Sequence, residues 1–151
     1  ASHMANTAFD KHVEFCESYM YEIHEIVHLL FREADTPEVL KNANELYAIR
    51  KKYAVWLTDD INKNLEIFES AIRKLGAHAH YIGKTTDEPR YAKQRSIKID
   101  ENDELFREIL GINKQDDVNE EYAVDAIKGK VRKILGIEQR HKSNCATWIN
   151  Q

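Results

Sequence analysis

Between Pro37 and Gly76 the chain holds neither glycine nor proline, and apolar residues recur every three or four positions throughout. Leu40, Ala43, Tyr47, Ala54, Leu57, Ile61, Leu65, Phe68, Ile72, Leu75 and Ala79 keep to this spacing, with Arg50 as the one polar interruption. An α-helix carries such a pattern on one side, and its near-heptad regularity suits a seam against another helix. Thr36 is placed to cap the start, Pro37 fits the first helical position, and Glu38 suits the positive end of the helix dipole. One helix over about 36–82 is therefore expected. Thr58-Asp59-Asp60 offers a rival helix start. Against it, the seam passes through Leu57, Ile61 and Leu65 in register, and a hairpin loop ordinarily breaks register. At 1.5 Å per residue the helix would run roughly 60–70 Å. That is more than a chain of 151 residues covers by itself, which implies a homo-oligomer, most simply a dimer.

The other patterns follow this lead. Phe9, Val13, Cys16, Met20, Ile23, Val27 and Phe31 form a second stripe over 7–33, and the short link after it folds that helix back antiparallel. Residues 83–100 lack strong periodicity and read as a basic loop, with a short extended piece at 96–99. Two shorter helices follow, over about 100–110 and 119–135. They end alike, in Ile-Leu-Gly-Ile at 109–112 and again at 134–137, the signature of a glycine stop followed by an apolar residue. The tail carries Trp148 and Ile149 without a pattern. The fold class is thus all-α: an antiparallel helical hairpin or bundle built on one long helix, two shorter C-terminal helices and the basic loop. Residues 1–4 read as a cloning remnant, and 5–151 as a single α-helical domain.

Composition agrees. With 32% charged and 42% hydrophobic residues, five glycines and two prolines, the chain suits a helix-rich protein better than a β-sandwich or a disordered polymer. No apolar run is long enough to cross a membrane, and no signal peptide precedes Phe9, so the cytoplasm is the expected location. Two cysteines, Cys16 and Cys145, make a poor disulfide framework, and Cys16 sits on an apolar helix face.

The net charge of −4 is unevenly spread. Residues 84–98 sum to +3 and 128–142 to +5, which leaves −12 for the rest. Such asymmetry suits an anionic partner, although lysines also gather at helix C-termini where the dipole favours them. The leading expectation is a non-enzymatic interaction or regulatory module without a cofactor. Its partner is RNA, DNA or an acidic protein surface, met by Arg90, Lys93, Arg95, Lys98, Lys130, Arg132 and Lys133. Charge reversal at Arg90, Lys93 and Arg95 then abolishes binding, and Arg73→Ala spares it.

Two motifs carry rival chemistry. His24-Glu25-Ile26-Val27-His28 resembles the His-Glu-x-x-His of zincin metalloproteases, in which paired histidines bind zinc and the glutamate is general base. Glu22 breaks that family's usual pattern, and neither a third ligand nor a strand-rich subdomain follows. By helix geometry both histidines flank the core stripe, as boundary histidines at a helix interface do. Otherwise they form a His24–His28 pair for a divalent transition metal, completed by another element or by His78 and His80.

The second motif is Arg73-Lys74-Leu75-Gly76-Ala77-His78-Ala79-His80. An arginine followed four to six residues later by histidine resembles the motif of the HEPN superfamily, all-α dimers that include metal-independent ribonucleases. The resemblance implies that Arg73 stabilises a phosphorane and that His80 or His78 handles the proton. Lys74 stands where that family often has a polar uncharged or acidic residue. In a helix continuous through Gly76, Arg73 and His80 share a face, whereas Arg73 and His78 diverge by about 140°.

Overall fold

A computed structural model describes residues 2–33, 36–111 and 118–135. Five helices follow in order: α1 (His3–Arg32), α2 (Val39–Lys52), α3 (Asp59–Thr85), α4 (Ala92–Leu110) and α5 (Glu120–Leu135). No strand occurs among the described residues, so the all-α expectation holds.

The long helix over 36–82 is corrected. The chain leaves α2 at Tyr53, makes a 3₁₀ turn over Ala54–Trp56 and restarts as α3. Thr58, with φ −70° and ψ 158°, caps the restart by accepting the Ile61 backbone N–H on Oγ1 at 3.2 Å, and Asp59 and Asp60 fill the first turn. Asn62 Nδ2 ties the turn down by donating to the Ala54 carbonyl at 3.4 Å. The apolar rhythm survives because Tyr53 and Leu57 stay buried while only Val55 turns out to solvent. A tight turn that keeps its core anchors leaves the sequence in register, so register alone does not report continuity. The length argument for a second copy falls with the long helix.

The helices run up, down and up. Glu22 meets Asn42 at 3.4 Å and Glu14 meets the Tyr53 hydroxyl at 3.2 Å, the antiparallel pairing expected of α1 and α2. Phe15, Ile23, Leu46, Leu65 and Ile72 fill the space among the three. One polar cluster sits in that core. Tyr19 Oη donates to Glu69 Oε2 at 2.7 Å, and Arg50 donates to both oxygens, at 2.9 Å from Nε and 3.1 Å from Nη2. The polar interruption at Arg50 is thus a buried guanidinium, drawn inward by a carboxylate that is itself 0% exposed. Burial, with the Glu69 charge and hydrogen bond, pushes the Tyr19 hydroxyl pKa well up. Burial opposes the Arg50 charge, but Glu69 outweighs it and leaves the guanidinium pKa raised. Gly76 lets α2 and α3 approach closely: a Cβ there would stand 2.6 Å from Leu40 Cγ and 2.9 Å from Val39 Cγ1.

The basic loop over 83–100 is also corrected. Helix α3 continues to Thr85, a 3₁₀ turn spans Pro89–Tyr91, and the remainder, including 96–99, is the first half of α4. Periodicity missed this half because it buries little. Its surface is polar, and α4 packs on α3 chiefly through its second half, around Asn102, Ile109 and Leu110. Gly111 stops α4 in the left-handed region at φ 71°, as its sequence signature implies. Helix α5 lies mainly along α1, with edges on α3 and α4. The second glycine stop at Gly136 and the tail with Cys145, Trp148 and Ile149 lie outside the described residues.

A candidate anion-binding surface

The residues with candidate chemistry fall in four places. On α1, His24 and His28 face α5. His28 Nδ1 lies 2.7 Å from Glu120 Oε1, and a carboxylate only accepts, so this nitrogen carries the proton. The pKa of His24 is lowered, first by loss of water around its ring and then by the Lys128 ammonium; Glu25 opposes both. A cation placed here would meet Lys128. Among the described residues no three His, Cys, Asp or Glu side chains come together as a group that would hold a metal. The helices do run up, down and up, but the four histidines do not gather.

On α3, Arg73 and His78 point to different neighbours, as helix geometry requires. His78 is buried against α4, with Nδ1 2.7 Å from Asn102 Oδ1. Asn102 Nδ2 donates to the Leu75 carbonyl at 3.2 Å, which fixes the amide orientation and makes His78 Nδ1 the donor. His78 Nε2 lies 3.6 Å from Glu101. Arg73 turns instead to α2, donating to Asn44 Oδ1 at 3.4 Å. His80 is exposed two turns beyond Arg73 on the same face. The Arg73 guanidinium contacts Asn44 and lies over the Tyr47 ring, both on α2.

Several cations of the basic stretches are engaged locally. Arg95 Nη1 donates to the carbonyls of Thr85 and Glu88, closing the C-terminal end of α3. Lys130 Nζ donates to the Glu108 carbonyl at 3.2 Å near the end of α4, and burial lowers its pKa. Arg90 pairs with Glu88 at 2.9 Å, and Lys98 with Glu101 at 3.6 Å. Lys93 and Lys133 are exposed, and Arg132 is half-buried on α5.

The fourth place was hidden by the sequence pattern. Tyr47, which spacing assigns to the core seam, is 42% exposed, because the buried stripe of α2 is Val39, Ala43, Leu46 and Arg50. Three cations converge on its ring: Arg50 at 5.4 Å from the centroid, Lys51 at 5.7 Å and Arg73 at 5.6 Å. Arg50 is neutralised from behind by Glu69. Neither Lys51 nor Arg73 lies within ion-pair distance of a carboxylate among the described residues. On its other side α2 borders a groove against α1 whose lining includes Glu22, Glu25, Glu38 and Glu45. Burial, with Glu45 and Glu25 nearby, raises the Glu22 pKa despite its Asn42 bond. Helix α2 therefore separates an acidic edge from a cationic one. The run Tyr47-x-x-Arg50-Lys51-Lys52 was the available signal for the cationic edge, since residues three and four apart share a helix face.

Compared with family profiles, with characterised proteins and with solved structures, the chain matches none.

Proposed function

We propose that this protein is a non-enzymatic binding module for an anionic partner, engaged on the α2–α3 face by Lys51 and Arg73. The observation that carries the reading is that these two cations share one tyrosine ring and have no carboxylate within ion-pair distance among the described residues. Two cations beside one ring, neither within ion-pair distance of a carboxylate, attract an anion to this face. The α1–α2 groove on the other side of α2 carries four glutamates against Arg32 and Lys41, which disfavours an anion there. Of the cations that composition brought forward, Arg95 and Lys130 serve helix ends and Arg90 and Lys98 are paired, while Lys93 and Lys133 are exposed without an aromatic ring beside them.

The test is binding of labelled polyanions at low salt by two charge-reversed forms. Lys51→Glu with Arg73→Glu is expected to abolish binding, and Arg90→Glu with Lys93→Glu to leave most of it. The opposite pattern would move the partner to α4. RNA cleavage by the wild type, lost in Arg73→Ala and in His80→Ala, would replace this reading with the ribonuclease.

A further inference from the structure

An anion-binding face suits a nucleic acid and an acidic protein surface alike, and the Tyr47 ring separates the two. We infer that the partner is a single-stranded nucleic acid, with a base stacked on Tyr47 and the adjoining phosphates held by Lys51 and Arg73. This rests on the anion-binding reading of the same face.

Three features favour the single strand. The first is the ring itself. A site for carboxylates alone needs cations and hydrogen-bond donors, and the negative face of an aromatic ring repels a carboxylate laid on it. Tyr47 is nevertheless half-exposed at the centre of the cations, where a flat, neutral π-system can lie on it.

The second is the unequal freedom of the three cations. Arg50 is pinned by two hydrogen bonds to Glu69, so it stays with the ring whatever binds. Lys51 is exposed, and Arg73 is held only by a 3.4 Å bond to a neutral amide. Both can leave the ring for phosphates one nucleotide to either side, exchanging a cation–π contact for a charge pair. The ring they vacate is the stacking surface.

The third is what a duplex lacks. Its bases are already stacked on one another, so a double strand offers this face only its backbone and leaves the ring unused. With one aromatic ring and two free cations the site holds one base and its flanking phosphates. Binding of a short strand is accordingly weak and strongly salt-dependent.

The experiment is fluorescence anisotropy at low salt with four labelled probes: a ten-nucleotide single strand, an abasic phosphodiester strand of equal length, a duplex of the same sequence and a glutamate-rich peptide. Each is titrated with the wild type, Tyr47→Phe and Tyr47→Leu, all checked for unchanged helicity. The single strand is expected to bind at least tenfold more tightly than the other probes. Tyr47→Leu should cost it roughly fivefold to a hundredfold while leaving the abasic strand unaffected, and Tyr47→Phe should stay near the wild type. Equal affinity for the abasic strand, the duplex or the peptide would overturn the inference and leave anion binding standing. So would an equal loss for both strands in Tyr47→Leu. If the wild type binds none of the four, the anion-binding reading fails and takes this inference with it.

Discussion

Replacing Glu69 with alanine tests the arrangement on which both the core and the cationic face depend. Glu69 is fully buried where α1, α2 and α3 meet, and it accepts three hydrogen bonds, one from Tyr19 and two from Arg50. Removing it strands the guanidinium of Arg50, a buried residue, and leaves the Tyr19 hydroxyl without its acceptor. Breaking a buried ion pair from one side costs about 3–5 kcal/mol. The outer edge of Arg50 rests on the half-exposed Tyr47 ring, so water can reach the stranded charge, and the lower end of that range applies. Against a domain stability of about 5–15 kcal/mol this is a large share. With a urea m-value of about 1–3 kcal/mol per molar, the midpoint should fall by about 1–3 M at constant m. A triple replacement, Tyr19→Phe, Arg50→Met and Glu69→Met, removes the whole cluster and should be more stable than Glu69→Ala by about 2 kcal/mol, since apolar residues of similar size often replace a buried pair without loss. The readout is urea unfolding followed by far-UV circular dichroism. A cost below about 1 kcal/mol for Glu69→Ala, or a triple variant no more stable than it, would refute the reasoning.

Two further measurements check other contacts. Gly76→Ala and Gly83→Ala both add helix propensity worth up to about 1 kcal/mol. At Gly76, however, the new Cβ meets Leu40 Cγ at 2.6 Å, whereas at Gly83 it meets nothing within 4 Å. Gly76→Ala should therefore lose about 1–2 kcal/mol net through overpacking, and Gly83→Ala should gain, as their thermal or urea midpoints will report. The lowered pKa of His24 gives a pH dependence of definite sign. The unfolded chain takes up the His24 proton more readily, so this contribution to stability is lost as pH falls from about 6.5 through the lower folded-state value. The urea midpoint of His24→Gln should drop less than the wild type's between pH 7.5 and pH 5.5. An equal drop would show that His24 is not responsible. Glu22, whose pKa is raised, acts in the opposite direction in both proteins.

The parts of the fold legible in the sequence are those where burial is one-sided and continuous. The stripes from Cys16 to Val27 and from Leu65 to Ala79 were read correctly because one face of each helix is core, whereas Phe9, assigned to the first stripe, is 41% exposed, and the fully buried Phe15 was not in it. The α5 stripe and the Gly111 stop were legible for the same kind of local reason. The break at Thr58 was not, because both of its anchors, Tyr53 and Leu57, fall where a continuous helix would also bury them. The first half of α4 was missed for the converse reason: a helix that buries almost nothing has no stripe to read. Tyr47 and Arg50 show the deepest failure. Hydrophobicity ranks the tyrosine inward and the arginine outward; Glu69 on another helix holds Arg50 inside, and Tyr47 lies off the buried stripe of α2.

Several charges of the basic stretches also have contacts within the fold. A run of lysine and arginine in a helical chain has two physical causes, a partner outside or a helix C-terminus nearby, and composition weighs them equally. Here the run over 84–98 crosses the end of α3, and Arg95 donates to the Thr85 and Glu88 carbonyls, each of which also accepts a backbone N–H. In the run over 128–142, Lys130 does the same for α4, a helix distant in sequence and adjacent in space. These charges sit where the negative end of a helix dipole favours a cation. A cation available for a partner is one whose carbonyls and carboxylates are elsewhere, and that is a property of the tertiary structure. By this criterion Lys51 and Arg73, one from a short basic cluster and one from a helix interior, present their charge outward beside an exposed ring. On the α2–α3 face these two cations flank an exposed aromatic ring, and that combination is the basis of the proposed function.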